Sequence, residues 1–176
     1  MCAEEPALHA NCTYDRAAML AMDYAEFDQD PASGWRALPA EGCDLEIADL
    51  IGDWRTQHES TDPILYWHEG QVRAVAGQIA RAIELFERSH EAIDPFGWNL
   101  YVDGSVAFLR RDRAALQAAR DELAALPRPE DWPPLGMDGK PADVGWPMNL
   151  DFLDGFLRCW DEPYKIAYDC PRPGAD

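Results

Sequence analysis

From Asp62 to Leu126 the chain alternates helix-forming stretches with links of about three to five residues, and this spacing constrains the fold more than any other feature. Asp62-Pro63 combines a side-chain cap with a proline at the first helical position, where its missing N–H is no loss. That helix is predicted to stop at Gly77. Residues 79–91 then place Ile79, Ala82, Ile83 and Phe86 on one face at helical spacing. Asp94-Pro95 is predicted to restart a helix that runs to Leu109, and Asp112 to cap another reaching Leu126. Links this short leave consecutive helices little choice but to lie antiparallel. The expected class is therefore all-α, built from helical hairpins.

The flanks are less regular. Residues 14–27 carry Ala17, Leu20, Ala21 and Tyr24 at helical spacing, and Asp30-Pro31 and Ser33-Gly34 break the pattern. Residues 44–54 form a second stripe through Leu45, Ala48, Ile51 and Gly52. Residues 127–148 hold six of the fourteen prolines and cannot sustain a helix. Asp138-Gly139 is a hairpin-turn signal there, which allows a small β-ribbon. Asn149 is expected to cap a helix over 150–160, and Pro163 to open a short last one. The expected organisation is a single domain, 1–176. It comprises a tail (1–12), an N-terminal helical segment (13–62), hairpins (63–126), the Pro/Gly-rich insert (127–148) and a C-terminal hairpin with its tail (149–176).

A repeat runs under the helices. Gly70 and Gly104 are 34 residues apart, and the 12-residue interval from Gly70 to Ala82 recurs from Gly155 to Ala167. With Tyr66, Gly70, Ala82 and Phe86 in register, the chain resembles the tetratricopeptide repeat, whose period is about 34 residues and whose small residues let paired helices approach closely. The resemblance implies a short solenoid of two to three hairpins and a groove for a peptide or protein, lined by the first helix of each hairpin. Carried onto this chain, that face comprises Trp67, His68, Gln71, Tyr101, Ser105 and Phe108. The chain also resembles uncharacterised secreted proteobacterial proteins with helices of this type, which implies periplasmic residence.

Where the repeat places Leu and Tyr, this chain has Glu69 and Arg73, four apart and in the favourable order for a helical ion pair. Asp103 and Asp154 occupy the place of Glu69 before Gly104 and Gly155. A structural network of Glu69, Arg73 and Asp103 is the expectation. The competing reading makes the three acids, with His68, the site of a hydrolase or metal-dependent enzyme.

Signatures of chemistry are missing. His68-Glu69 and His90-Glu91 each lack the second histidine of a zinc helix, and Asp28-Gln29-Asp30 starts like a calcium loop but runs into Pro31. No phosphate loop and no nucleophile elbow is present. No catalytic residue, metal site or cofactor is expected.

Lys+Arg total 15 against 33 Asp+Glu, a net charge of −18, which argues against nucleic acid and favours a basic partner. No apolar run reaches the length of a membrane span. The expected function is non-enzymatic binding of a basic protein or peptide at an acidic, aromatic-lined surface, with a bacterial immunity or inhibitor protein as one version.

Of the five cysteines, Cys12 with Cys43 and Cys159 with Cys170 would staple each end of the chain in an oxidising compartment. Four buried free thiols in the cytoplasm is the alternative. Periplasmic or secreted residence is favoured over cytoplasmic on this ground.

Overall fold

A computed structural model describes residues 12–39, 42–134 and 139–172. The described residues are all-helical and contain no strand. The chain divides into two compact units, Met1–Leu85 and Phe86–Asp176. The division falls within one helix, α4 (Ile79–Arg88), rather than at the edge of the Pro/Gly-rich insert.

The N-terminal unit contains α1 (Arg16–Leu20), a π-helical turn (Ala25–Gln29), a 3-10 turn (Gly34–Ala37), α2 (Asp44–Gln57) and α3 (Pro63–Val75). The single helix expected over 14–27 is broken. Asp23 accepts the Glu26 N–H at 2.9 Å through its carboxylate, so its side chain competes with the helical ladder and starts a new turn. At Asp62-Pro63 the carboxylate accepts from Ile64 N–H at 3.0 Å and fixes the start of α3. Helices α2 and α3 pack as a hairpin, and the core forms around Phe27, Ile47, Leu50, Ile51, Trp54 and Leu65. Trp54 stacks on Phe27 at 4.8 Å and donates its indole N–H to Met22 O at 3.0 Å. Gly34 has φ +51°, and a Cβ there would lie 2.0 Å from the Phe27 carbonyl oxygen, so only glycine lets the 3-10 turn rest on that backbone.

The C-terminal unit contains α5 (Trp98–Leu109), α6 (Arg113–Ala124), α7 (Leu150–Arg158) and α8 (Tyr164–Tyr168). The helix expected from Asp94-Pro95 begins at Trp98 instead. The Asp94 carboxylate accepts from the N–H groups of Phe96, Trp98 and Asn99, and Gly97 at φ +81° turns the chain into the helix. Asp112 caps α6 by accepting from Ala115 N–H at 3.0 Å. Asn149 precedes α7 in the left-handed region and makes no side-chain cap. Helix α7 packs on both α5 and α6, and α8 packs on α7.

Small residues sit at these contacts. A Cβ on Gly104 would come within 2.6 Å of Leu153 on α7, and one on Gly155 within 3.1 Å of the Ala167 carbonyl on α8. In the insert, Ala142 N–H donates to Pro134 O at 2.8 Å, and among the described residues no strand continues from this bridge. The tip that carries Asp138 lies outside the described residues.

Both cysteine pairs are disulfides, Cys12–Cys43 in the N-terminal unit and Cys159–Cys170 in the C-terminal unit. Among the described residues no helix is long and apolar enough to cross a membrane.

Candidate functional site

The buried charged groups of the N-terminal unit fall into two clusters. In the first, Asp28 sits on the π-turn with its carboxylate fully buried. It accepts from His68 Nδ1 at 2.7 Å, Trp35 Nε1 at 2.9 Å and Gln29 Nε2 at 2.6 Å. Arg36 donates its Nε to the Asp28 carbonyl at 2.6 Å, and its Nη2 lies 3.3 Å from His68 Nε2. A guanidinium only donates, so Nε2 is the acceptor and Nδ1 carries the proton toward Asp28. Burial pushes the Asp28 carboxyl upward, but the His68, Trp35 and Arg36 interactions outweigh it and hold it below the usual carboxylate range.

The second cluster centres on Glu69 of α3, which is 1% exposed. Arg55 of α2 donates Nη2 to Glu69 Oε2 at 2.7 Å, and Arg73 donates Nε to Oε1 at 3.1 Å. Arg55 also lies over the Tyr66 ring at 3.9 Å. Gly52 faces this carboxylate, and a Cβ there would come within 3.1 Å of Oε1. The glycine in the apolar stripe of α2 therefore makes room for a buried ion pair.

Asp103, expected in the same network, instead bonds His90 Nε2 at 2.9 Å, with its side chain 58% exposed. Asp154 accepts from Arg120 Nε at 2.7 Å and raises that guanidinium's pKa. The three acids thus have separate partners and share no common network. Among the described residues no group of three His, Cys, Asp or Glu side chains is placed to hold a metal ion.

The groove face expected from the repeat is largely turned inward. Trp67, Tyr101, Ser105 and Phe108 are all buried, while His68 and Gln71 are half-buried. Helix α5 is contacted by both α6 and α7, so it is apolar nearly all round and has no free stripe to line an open groove. Phe108 stacks on Phe156 at 4.5 Å, and Ser105 Oγ donates to Tyr101 O at 2.8 Å.

An acidic and aromatic surface lies elsewhere in the C-terminal unit. The end of the insert and the first turns of α7 enclose a cleft of about 640 Å³, lined by Asp143, Trp146, Asp151, Phe152, Asp154 and Arg172 among others. Its lining holds three carboxylates and a single cation, Arg172, which pairs with Asp151. Trp146 donates its indole N–H to Leu126 O at 3.1 Å and meets Trp132 edge-on at 4.8 Å. Phe152 stacks on Tyr168 at 4.4 Å. Both rings are half-buried, anchored on one side and open to the cleft on the other. The aromatic residues expected on the first helix of each hairpin, Trp67 on α3 and Tyr101 and Phe108 on α5, are buried, whereas this cleft is lined by the tryptophan-proline pair inside the insert, next to Asp143 and Asp151.

No protein family, curated protein or solved structure matches this chain.

Proposed function

We propose that this chain is a binding module whose C-terminal unit holds a basic protein or peptide in the cleft between the insert and α7. The lining of that cleft carries the proposal: three carboxylates against one cation, beside two half-buried rings held firmly from behind. Rigid aromatic anchors within a charged rim suit partner recognition, because little side-chain freedom is lost on binding. The net charge of −18 adds long-range attraction for a basic partner. An immunity or inhibitor protein against a basic toxin is one form of this reading.

The 34-residue spacing of Gly70 and Gly104 and the seat of Gly104 against Leu153 support tetratricopeptide-like stacking. The two disulfides support a periplasmic or secreted setting, with the cytoplasm as the alternative.

The test is fluorescence polarisation of a labelled peptide that alternates arginine with leucine, at low and high salt. Neutralising Asp143 and Asp151 together to asparagine should weaken binding by about tenfold or more, and added salt should weaken it further. Equal binding of an acidic peptide, or an unchanged affinity in the double variant, would overturn the reading.

A further inference from the structure

We propose that the N-terminal unit has its own ligand site, a cleft beside the Glu69 cluster in which two neighbouring arginine–aspartate pairs, Arg73–Asp49 and Arg16–Asp53, open to seat a small zwitterion of the free amino-acid class. This site is independent of the cleft in the C-terminal unit. It measures about 590 Å³, within the range that small-molecule pockets occupy. Its lining carries four arginines and four carboxylates, so it is locally neutral in a chain of net charge −18. A ligand of one charge sign would leave half of that lining unused. A ligand with both signs matches it.

The arrangement of Arg73 supports the assignment. Its Nε is held by the buried Glu69 at 3.1 Å and its Nη1 by Gln78 at 2.6 Å. Glu69 is itself fixed by Arg55. That leaves Nη2, whose partner is Asp49 at 2.9 Å, a carboxylate 61% exposed. The guanidinium is preoriented from within, and only its outer edge meets a weakly held partner.

Arg16 repeats the pattern. Its Nη1 lies on the Tyr14 hydroxyl at 3.1 Å, and its Nη2 meets Asp53, 59% exposed. Asp49 and Asp53 are four residues apart on α2, so the two pairs stand side by side about one helical turn apart. A carboxylate that displaces one aspartate from its arginine frees that aspartate for an ammonium group. An amino acid carries both groups on one carbon. With both pairs open, a ligand carboxylate shared by Arg73 and Arg16 and an ammonium group shared by Asp49 and Asp53 leave none of the four charges unpaired.

The experiment is calorimetry and thermal shift on the full chain with a panel of neutral L-amino acids, followed by the N-acetyl and amide derivatives of the best binder. A saturable isotherm is expected for the zwitterion, and at least tenfold weaker binding for both derivatives. Arg16→Gln and Asp53→Asn, which alter exposed ends of the cleft, should each weaken binding about tenfold while circular dichroism stays that of the parent. No saturable binding up to about 10 mM would mean that the ion pairs serve the fold alone and would overturn the proposal. So would a derivative that binds as well as its parent, or variants that bind like the unmodified chain.

Discussion

The two units hold their helices together by opposite means. In the N-terminal unit the α2–α3 hairpin closes on a carboxylate and a guanidinium that are both nine-tenths or more buried, and a second buried carboxylate, Asp28, ties the π-turn to α3 through His68. In the C-terminal unit none of the described charged residues is buried, and α5, α7 and α8 meet through Phe108, Phe156 and Tyr164. Stacked rings contribute by area and geometry, and they tolerate small shifts. A buried ion pair gives little net stability but penalises every arrangement that separates its members. The comparison teaches that this chain uses charge to fix which helices pair in one half, and apolar area to hold them in the other.

The largest test of that contrast is a pair of truncations. Glu69→Ala should destabilise the N-terminal unit by about 3–5 kcal/mol, because it strands the buried Arg55 guanidinium. Phe108→Ala should cost the C-terminal unit a similar ~3–5 kcal/mol through the cavity it leaves. The two differ in how they are rescued. Glu69→Leu combined with Arg55→Met should recover most of the loss, since an apolar pair of like volume removes the stranded charge. Urea unfolding with hydrogen exchange read by peptide assigns each loss to its unit. A double variant as unstable as Glu69→Ala would show that the charges themselves are required.

Next in size is the contribution of the cross-links. On loop-closure entropy, Cys12–Cys43, with a separation of 31 residues, should stabilise its unit by about 4 kcal/mol. Cys159–Cys170, with a separation of 11, should contribute about 3 kcal/mol. Cys→Ser pairs made one disulfide at a time should therefore destabilise the N-terminal unit slightly more than the C-terminal one. Equal and negligible losses would place the units' stability in their cores alone.

The smallest effect concerns pH. The Asp28 carboxyl titrates below its unfolded value, so the unfolded chain binds the proton more readily. The stabilisation is present above about pH 4 and is lost as pH falls through the folded value. Asp28→Asn removes this contribution. Between about pH 5 and pH 3 its stability should fall less steeply than that of the unmodified chain, measured by urea midpoints. Parallel curves would show that Asp28 gains nothing from His68, Trp35 and Arg36.

Much of the architecture was legible because its signals are local. Asp62-Pro63 and Asp112 mark helix starts by bonds that reach only two or three residues, and the cysteines pair as nearest neighbours along the described chain. What was not legible depends on contacts between distant residues. Arg55 meets Glu69 from 14 residues away, and Asp28 meets His68 from 40 away. Neither could be paired by spacing. Gly52, in the middle of an apolar stripe, was the one local hint that α2 leaves room for something on α3. The burial of Trp67, Tyr101, Ser105 and Phe108 was not legible for a different reason. A helix covered by two neighbours and a helix lining a peptide channel carry the same apolar pattern, and the sequence does not say what covers it. The cleft of the C-terminal unit was missed because a proline-rich stretch has no periodicity from which to infer a face.

Each disulfide lies entirely within one unit and joins consecutive cysteines. A chain threaded N-terminus first into an oxidising compartment would expose the sulfurs of the first bridge long before those of the second. Oxidation in order of arrival would then produce the native connectivity. Such a chain should mature without reshuffling of mispaired bonds.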